Sequence, residues 1–275
     1  MNLKLLEPFK QYVDLLHLDV ELPTYEYLEK ICSAHLNTFP FENISKLIYY
    51  KSKINHVNPS MFVHNYREFQ FGGTCFTLNS NLLLLLKQVG FDCYLVMLSE
   101  QHMAIVVLID GVKYYVDCGA AAPFFKPVDF EFNPTHETVF GKDVIRISPS
   151  IKAGVYQYKR FMNGVQSGET WEFTPKEEYI IEDFSDIILK SNQEKAPFMT
   201  LLRCQLYQTN KNRSVSLTNN TLTIRHDNGE SDVTILKSYQ EIKEVIEYEF
   251  KLPKLPTKDA IDILEELQIN LFEKE

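Results

Sequence analysis

Apolar residues follow two different periods along this chain. Up to about residue 87 they recur at spacings of three and four, as in Tyr12, Leu15 and Leu16 and then Tyr25, Leu28, Ile31 and Cys32, the stripe of amphipathic helices. Pro23-Thr24 gives the second of these a start signal, and the unbroken leucines over residues 82–86 predict a buried helix. From Phe91 the pattern changes to alternation and short continuous runs, over residues 93–98, 102–109 and 112–117, which predict strands. Asp110-Gly111 between the last two is a hairpin turn. Further strands are expected over residues 144–147, 155–161 and 170–173, giving a mainly antiparallel region that forms a barrel or curled sheet. A helix over residues 186–191 then precedes strands over 198–207, 214–218, 221–226 and 234–236. Amphipathic helices over residues 239–247 and 258–272, separated by Pro253 and Pro256, follow them. No repeat and no low-complexity linker interrupts this order, so the regions are expected to form one α+β body.

Candidate chemistry sits where the helical part meets the β part. Gly72-Gly73-Thr74-Cys75 ends a polar segment with a glycine pair and places one thiol at the start of the apolar helix. Free N–H groups and the helix dipole in such a first turn favour a thiolate, and the glycines let the backbone bend and another molecule approach. The plainer reading is a small apolar core residue. As nucleophile the thiol needs a base. Among seven histidines, His102 opens a strand after the polar turn Ser99-Glu100-Gln101, at a sheet edge facing a cleft. With Asp110-Gly111 as the turn, residues whose numbers sum to about 221 face each other, so His102 lies nearly opposite Cys118 and diagonal to Asp117. A carboxylate ending an apolar strand is costly to bury unless a donor or cation meets it, and an imidazole meets that need while being held in one tautomer. Taken singly, His102 reads as a satisfied edge histidine and Asp117 as a turn cap. Together with Cys75 they predict a cysteine-protease-like Cys-His-Asp core.

Composition narrows the classes. The 275 residues, 45% hydrophobic and 13% aromatic, suffice for one large domain or several small ones sharing a core. A net charge of −9 argues against a nucleic-acid partner. Five scattered cysteines without a C-x-x-C pair suggest neither a disulfide framework nor a zinc site, so no metal is expected and a reducing compartment fits best. The first residues lack a leader pattern, and no apolar run approaches the ~20 residues of a spanning helix. A cytoplasmic protein without a membrane partner is the expectation.

The residues around Cys75 carry a family resemblance. Phe71-Gly72-Gly73-Thr74-Cys75-Phe76-Thr77-Leu78-Asn79 resembles the Arg-Gly-Gly-x-Cys-Phe-Glu-x-Asn signature of the arylamine N-acetyltransferases. His35 to Asn43 is similar to their His-x-x-x-Ile-Pro-Phe-Glu-Asn motif, and His102-Met103 with Tyr115-Val116-Asp117-Cys118-Gly119 resembles their His-Met strand and Tyr-x-Val-Asp-Val-Gly. Trp171-Glu172-Phe173, Asp183-Phe184 and residues 238–250 extend the likeness along nearly the whole chain. The resemblance implies a helical bundle over residues 1–88, an antiparallel β-barrel over 89–190 and an α/β lid over 191–275. It implies acetyl transfer from acetyl-CoA to aromatic amines, hydrazines or hydroxylamines by a ping-pong route, with an acetyl thioester on Cys75, proton transfer by His102 and orientation by Asp117. Phe41, Gln101 and Ala120 are then expected in the acceptor pocket, and Gly119, Phe198 and Thr200 beside coenzyme A. Phe41 reads equally well as core. Departures from the pattern are Phe71 for arginine, Thr77 for glutamate, Ala120-Ala121 for Phe-Gly, and a short 27-residue spacing from Cys75 to His102. Such changes are expected to alter activity and acceptor preference and keep open a weakly catalytic relative, while the triad itself also fits a thiol hydrolase or transglutaminase-like enzyme.

Overall fold

The computed structural model describes residues 5–134 and 136–272. Its first part holds helices α1 (Glu7–Leu15), α2 (Tyr25–Thr38), α3 (Ile44–Ser52), α4 (Pro59–Phe69) and α5 (Cys75–Val89). The expected start of α2 is present, with Thr24 capping it through its hydroxyl to the Tyr27 N–H. Tyr12, Leu28, Ile31, Leu78, Leu82, Leu85 and Leu86 bury their side chains in the bundle core. Between α2 and α3 lies a two-residue strand, β1 (Phe41–Glu42), which sequence periodicity did not predict. Two residues are too few to show a period.

β2 (Asp92–Leu98), β3 (His102–Ile109), β4 (Val112–Val116) and β5 (Val128–Asp129) form a four-stranded antiparallel sheet. Its β3–β4 register is the expected one, Ile105 opposite Val116 and Ile109 opposite Val112, around a turn in which Asp110 and Gly111 both have positive φ. The sheet is covered on both faces. Cys93, Leu95, Met103 and Ile105 face the helical bundle, while Tyr94, Val96, Ala104 and Val106 face a second core, which explains why these strands read as continuous apolar runs.

That second core is shared with β6 (Glu137–Phe140), β7 (Asp143–Pro149), β8 (Tyr156–Met162), β9 (Val165–Gln166) and β10 (Trp171–Phe173), a separate antiparallel sheet. After α6 (Ser185–Ser191), a third sheet of β11 (Arg203–Gln208), β12 (Arg213–Thr218), β13 (Thr221–His226) and β14 (Ser231–Ile235) packs on α7 (Tyr239–Tyr248) and α8 (Thr257–Glu266). The expected barrel is therefore corrected: among the described residues the strands form three open sheets and none closes. β1 is the outermost strand of the third sheet, with Phe41 opposite Gln205, so the helical part and the last part share hydrogen bonds. Two element bounds also differ. The strand expected over 198–207 begins at Arg203, because Pro197–Met199 takes a 3-10 turn, and α8 stops at Glu266, with Gln268 beyond it at positive φ.

Candidate active site

Cys75 is the first residue of α5, and its side chain is nearly buried, 7% exposed. The loop before it is pinned. Glu42 N–H donates to the Gly73 carbonyl (3.0 Å), and Gly72 N–H donates to Glu42 Oε1 (3.0 Å). A side chain at Gly72 would meet the Pro40 carbonyl oxygen at 1.9 Å, which accounts for a glycine there. Phe71 is buried beside Tyr49 and Phe69, with centroids 5.7 and 5.2 Å away, and joins the core of the third sheet.

His102 opens β3 as expected and is 3% exposed. Its Nε2 lies 2.7 Å from Asp117 Oδ2; a carboxylate accepts, so this nitrogen carries a proton, and Nδ1 is the ring nitrogen that Asp117 does not hold. The β3–β4 ladder ends at Ile105, so the contact is made where the strands part, and other donors complete it. Tyr115 OH donates to Oδ2 (2.8 Å), while Asn79 Nδ2 (2.8 Å) and Gly119 N–H (3.1 Å) donate to Oδ1. Four donors thus surround a carboxylate with no exposed surface. Burial alone lowers the His102 pKa, but the charges and hydrogen bonds of Asp117 and Cys75 outweigh it and raise the imidazole to about 10.

Cys75 and His102 line one cavity of about 520 Å³, within the range of small-molecule sites. Phe41, Gln101, Ala120, Gly119 and Phe198 line it too; Thr200 does not, its hydroxyl bonding the Pro197 carbonyl (3.2 Å). The glycine at 119 admits the loop to the nucleophile, since a side chain there would lie 2.8 Å from Cys75 Cα. Ala121 holds a left-handed φ of 50°, its carbonyl accepting from Arg160 Nη2 (3.1 Å) and Gln205 Nε2 (2.8 Å). Burial pushes the Cys93 thiol up to about 12 and holds Cys118 and Cys204 well above the ordinary thiol range. Among the described residues no three His, Cys, Asp or Glu side chains group as metal ligands would.

Sequence reasoning assigned no role to four residues that shape this site. Asn79 ties α5 to the Asp117 loop, also donating to the Met103 carbonyl (2.6 Å) and accepting from Cys118 N–H (3.1 Å). Its position one helical turn after Cys75 was the available signal. Trp171 stacks on His102 at 4.8 Å and 14°. Asn43 holds the segment bearing Phe198 by donating to the Phe198 (2.9 Å) and Leu201 (2.6 Å) carbonyls. Lys46 also lines the cavity. Asn43 and Trp171 stood within family-like segments without a sign of these contacts, and Lys46 had no local signal, because each contact spans at least 69 residues or depends on the closed cavity.

A family described as N-acetyltransferase matches residues 24–259, most of the chain. The chain belongs to the arylamine N-acetyltransferase family. The chain is similar in structure to the arylamine N-acetyltransferase of Salmonella typhimurium, with a TM-score of 0.80, 16% identity, and coverage of 94% of this chain and 99% of that one. It is similar also to the Mycobacterium marinum enzyme solved in complex with CoA, with a TM-score of 0.74, 15% identity, and coverage of 94% and 97%. In sequence it is 31% identical over 111 residues to an uncharacterized acetyltransferase of Acanthamoeba polyphaga mimivirus. That match covers 37% of this chain, and the chain spans about half (53%) of that relative. No helix among the described residues is long and apolar enough to cross a membrane.

Proposed function

We propose that this member of the acetyl-CoA-dependent family carries an acetyl group on Cys75 and passes it to the nitrogen of an aromatic amine, hydrazine or hydroxylamine. What supports the reading is the four-donor setting of Asp117, which directs Nε2–H of His102 to the carboxylate and leaves Nδ1 for the thiol. In the first half-reaction the Cys75 proton already rests on Nδ1, and Sγ attacks the acetyl carbonyl carbon as thiolate. The bond from that carbon to the coenzyme sulfur then breaks, and coenzyme A leaves as thiol with the proton from the imidazolium. In the second, the acceptor nitrogen attacks the thioester carbon while His102 takes a nitrogen proton; the carbon–Sγ bond breaks, and Sγ is left for the next cycle. Phe41, Phe76, Trp171 and Phe198 give the cavity aromatic walls suited to a ring. Gly119, Ala120 and Phe198 form the side from which the thioester arm approaches. The triad, these binding roles and the three-segment division at residues 88 and 190 belong to this proposal.

The test is steady-state turnover of an arylhydrazine over a matrix of acetyl-CoA and acceptor concentrations. Parallel reciprocal plots and loss of turnover in Cys75→Ser are expected. Intersecting plots, or amide cleavage without acetyl transfer, would move the assignment to a direct-transfer enzyme or to a thiol hydrolase.

A further inference from the structure

The third sheet turns one polar face toward the second sheet, and that face carries cations that no carboxylate answers. By register Arg203, Gln205 and Tyr207 on β11, Ser216 on β12, and Thr223 and Arg225 on β13 share it. Leu206, Val215 and Leu222 point the other way, into the core under α7 and α8. Across the gap Tyr207 meets Phe140 of β6, centroids 5.4 Å apart. Asp143 of β7 is already taken, accepting Arg160 Nε (2.8 Å) on one oxygen and Nη2 (2.6 Å) on the other. Arg203 meets only neutral acceptors, Ser216 Oγ (2.8 Å), Thr218 Oγ1 and Gln205 Oε1 (2.6 Å). Arg225 has neither an ion pair nor a side-chain hydrogen bond among the described residues; burial lowers its pKa, and Arg160 acts in the same sense against the charge of Asp143. The Tyr207 hydroxyl, in the cross-strand row of Arg225, is buried with no partner among the described residues. A chain of net charge −9 thus keeps unanswered guanidinium groups between two sheets, at a cost that a bound anion would remove.

Arg225 opens onto a cavity of about 220 Å³ where the β6–β7, β8–β9 and β13–β14 turns converge. The turns are pressed together, since a side chain at Gly141 would meet the His226 carbonyl oxygen at 2.4 Å. Lys142 supplies a second cation from the second sheet, and Asn163, Thr223 and Ser231 supply neutral polar groups. Glu230 also lines the cavity, but its carboxylate accepts Asn228 Nδ2 (2.9 Å) within its own turn. We propose that this cavity binds one free phosphate ion, held between the Arg225 guanidinium and the Lys142 ammonium with the Thr223 hydroxyl as a further donor. Donors that come from two sheets and a hydroxyl suit a tetrahedral oxyanion, and a guanidinium fork matches two of its oxygens. The volume is below that of pockets for organic ligands, which leaves room for a small ion and its waters. None of the lining residues lines the Cys75 cavity, so the inference stands independently of the acyl-transfer reading. Its consequence reaches that cavity from behind. Arg160 and Gln205, one from each sheet, both donate to the Ala121 carbonyl, and an ion that ties the sheets together would stiffen the support of that loop.

The experiment titrates the full chain with sodium phosphate at fixed pH and ionic strength, sodium chloride making up the balance, and reads binding by calorimetry and by Tm. Saturable binding of one ion per chain is expected, with a dissociation constant on the order of 1 mM or below and a Tm that rises with phosphate. Arg225→Gln should weaken binding by about tenfold or more, a magnitude in keeping with a charge-assisted hydrogen bond. Lys142→Gln, at an exposed position, should weaken it by about threefold or more and carries the test should Arg225→Gln fail to fold. Arg146→Gln, which removes an exposed arginine of β7 paired with Glu137, should leave it unchanged. A response that does not saturate, or that is the same in wild type, Arg225→Gln and Lys142→Gln, reports general screening and overturns the proposal. Repeating the titration with saturating coenzyme A distinguishes the sources of phosphate. Unchanged affinity supports a site for the free ion; competition would assign the cleft to the coenzyme's own phosphates and overturn it.

Discussion

Two buried carboxylates bracket the start of α5, and the protein holds them in different ways. Asp117 meets an imidazole, a phenol, a carboxamide and a backbone N–H. Glu42 meets only neutral donors: Ser45 Oγ (2.6 Å) and Gly72 N–H on Oε1, and Ser45 N–H (2.8 Å) on Oε2. Both are fully buried. Around Asp117 the balance falls toward charge separation, with His102 raised to about 10 against the opposing pull of burial. At Glu42 burial dominates the hydrogen bonds and the carboxyl rises to about 7. Neutral donors position a carboxylate; a chargeable partner also makes it act on something. Phe71 stands at the elbow without offering such a partner.

The largest effect that would break this contrast is at Asp117. Asp117→Asn keeps the shape but withdraws the acceptor that fixes Nε2–H, and should slow Cys75 acetylation by about three to four orders of magnitude. A loss of less than tenfold in a folded variant would mean that Asp117 is structural. Glu42→Gln is expected to alter that rate by less than about tenfold, and its signature is in stability. A carboxyl raised from 4.5 to about 7 by folding stabilises the native state fully below pH 4.5, and that contribution is lost as pH rises through 7. The loss is on the order of 3 kcal/mol across the window. Urea unfolding from pH 4.5 to 8 should therefore show a downward slope in the wild type that flattens in Glu42→Gln. Unchanged slopes would show that Glu42 is ionised throughout.

Phe71→Arg sharpens the same point by supplying a cation. It should remove the slope while costing about 2–3 kcal/mol of packing against Tyr49 and Phe69. A slope that persists would place the new guanidinium away from Glu42. The smallest effect is spectroscopic, because Trp171 is the only tryptophan and it stacks on His102. An imidazolium that persists through neutral pH and is lost near 10 should let indole emission rise only above about pH 9, and not at all in His102→Gln. A transition near 6.5 in the wild type would show that Asp117 does not raise the imidazole.

Legibility in the sequence followed the range of each interaction. The leucines of residues 82–86 and the Asp110-Gly111 turn gave α5 and the β3–β4 register directly, because a helix stripe and a two-residue turn are local. The pairing of His102 with Asp117 was legible through that register. β1 was not, since its partner lies more than 160 residues away in β11 and its own two residues show no period. Sheet closure was misjudged for a related reason: alternation reports which face of a strand is buried, not whether the first and last strands meet. Asn79 stood in plain view within the signature, yet its role depends on three atoms brought in from residues 103, 117 and 118. Lys46 could be read only once the cavity around it was assembled.

Intact-protein mass spectrometry after mixing with acetyl-CoA and no acceptor tests the central claim most directly. The account predicts one added acetyl group, mapped by peptide digestion to Cys75 rather than to Cys32, Cys93, Cys118 or Cys204. It should be absent in Cys75→Ser, formed very slowly in Asp117→Asn, and discharged on adding an arylhydrazine. No adduct at Cys75 in a folded wild-type protein, or an adduct that forms as fast in Asp117→Asn, would contradict it.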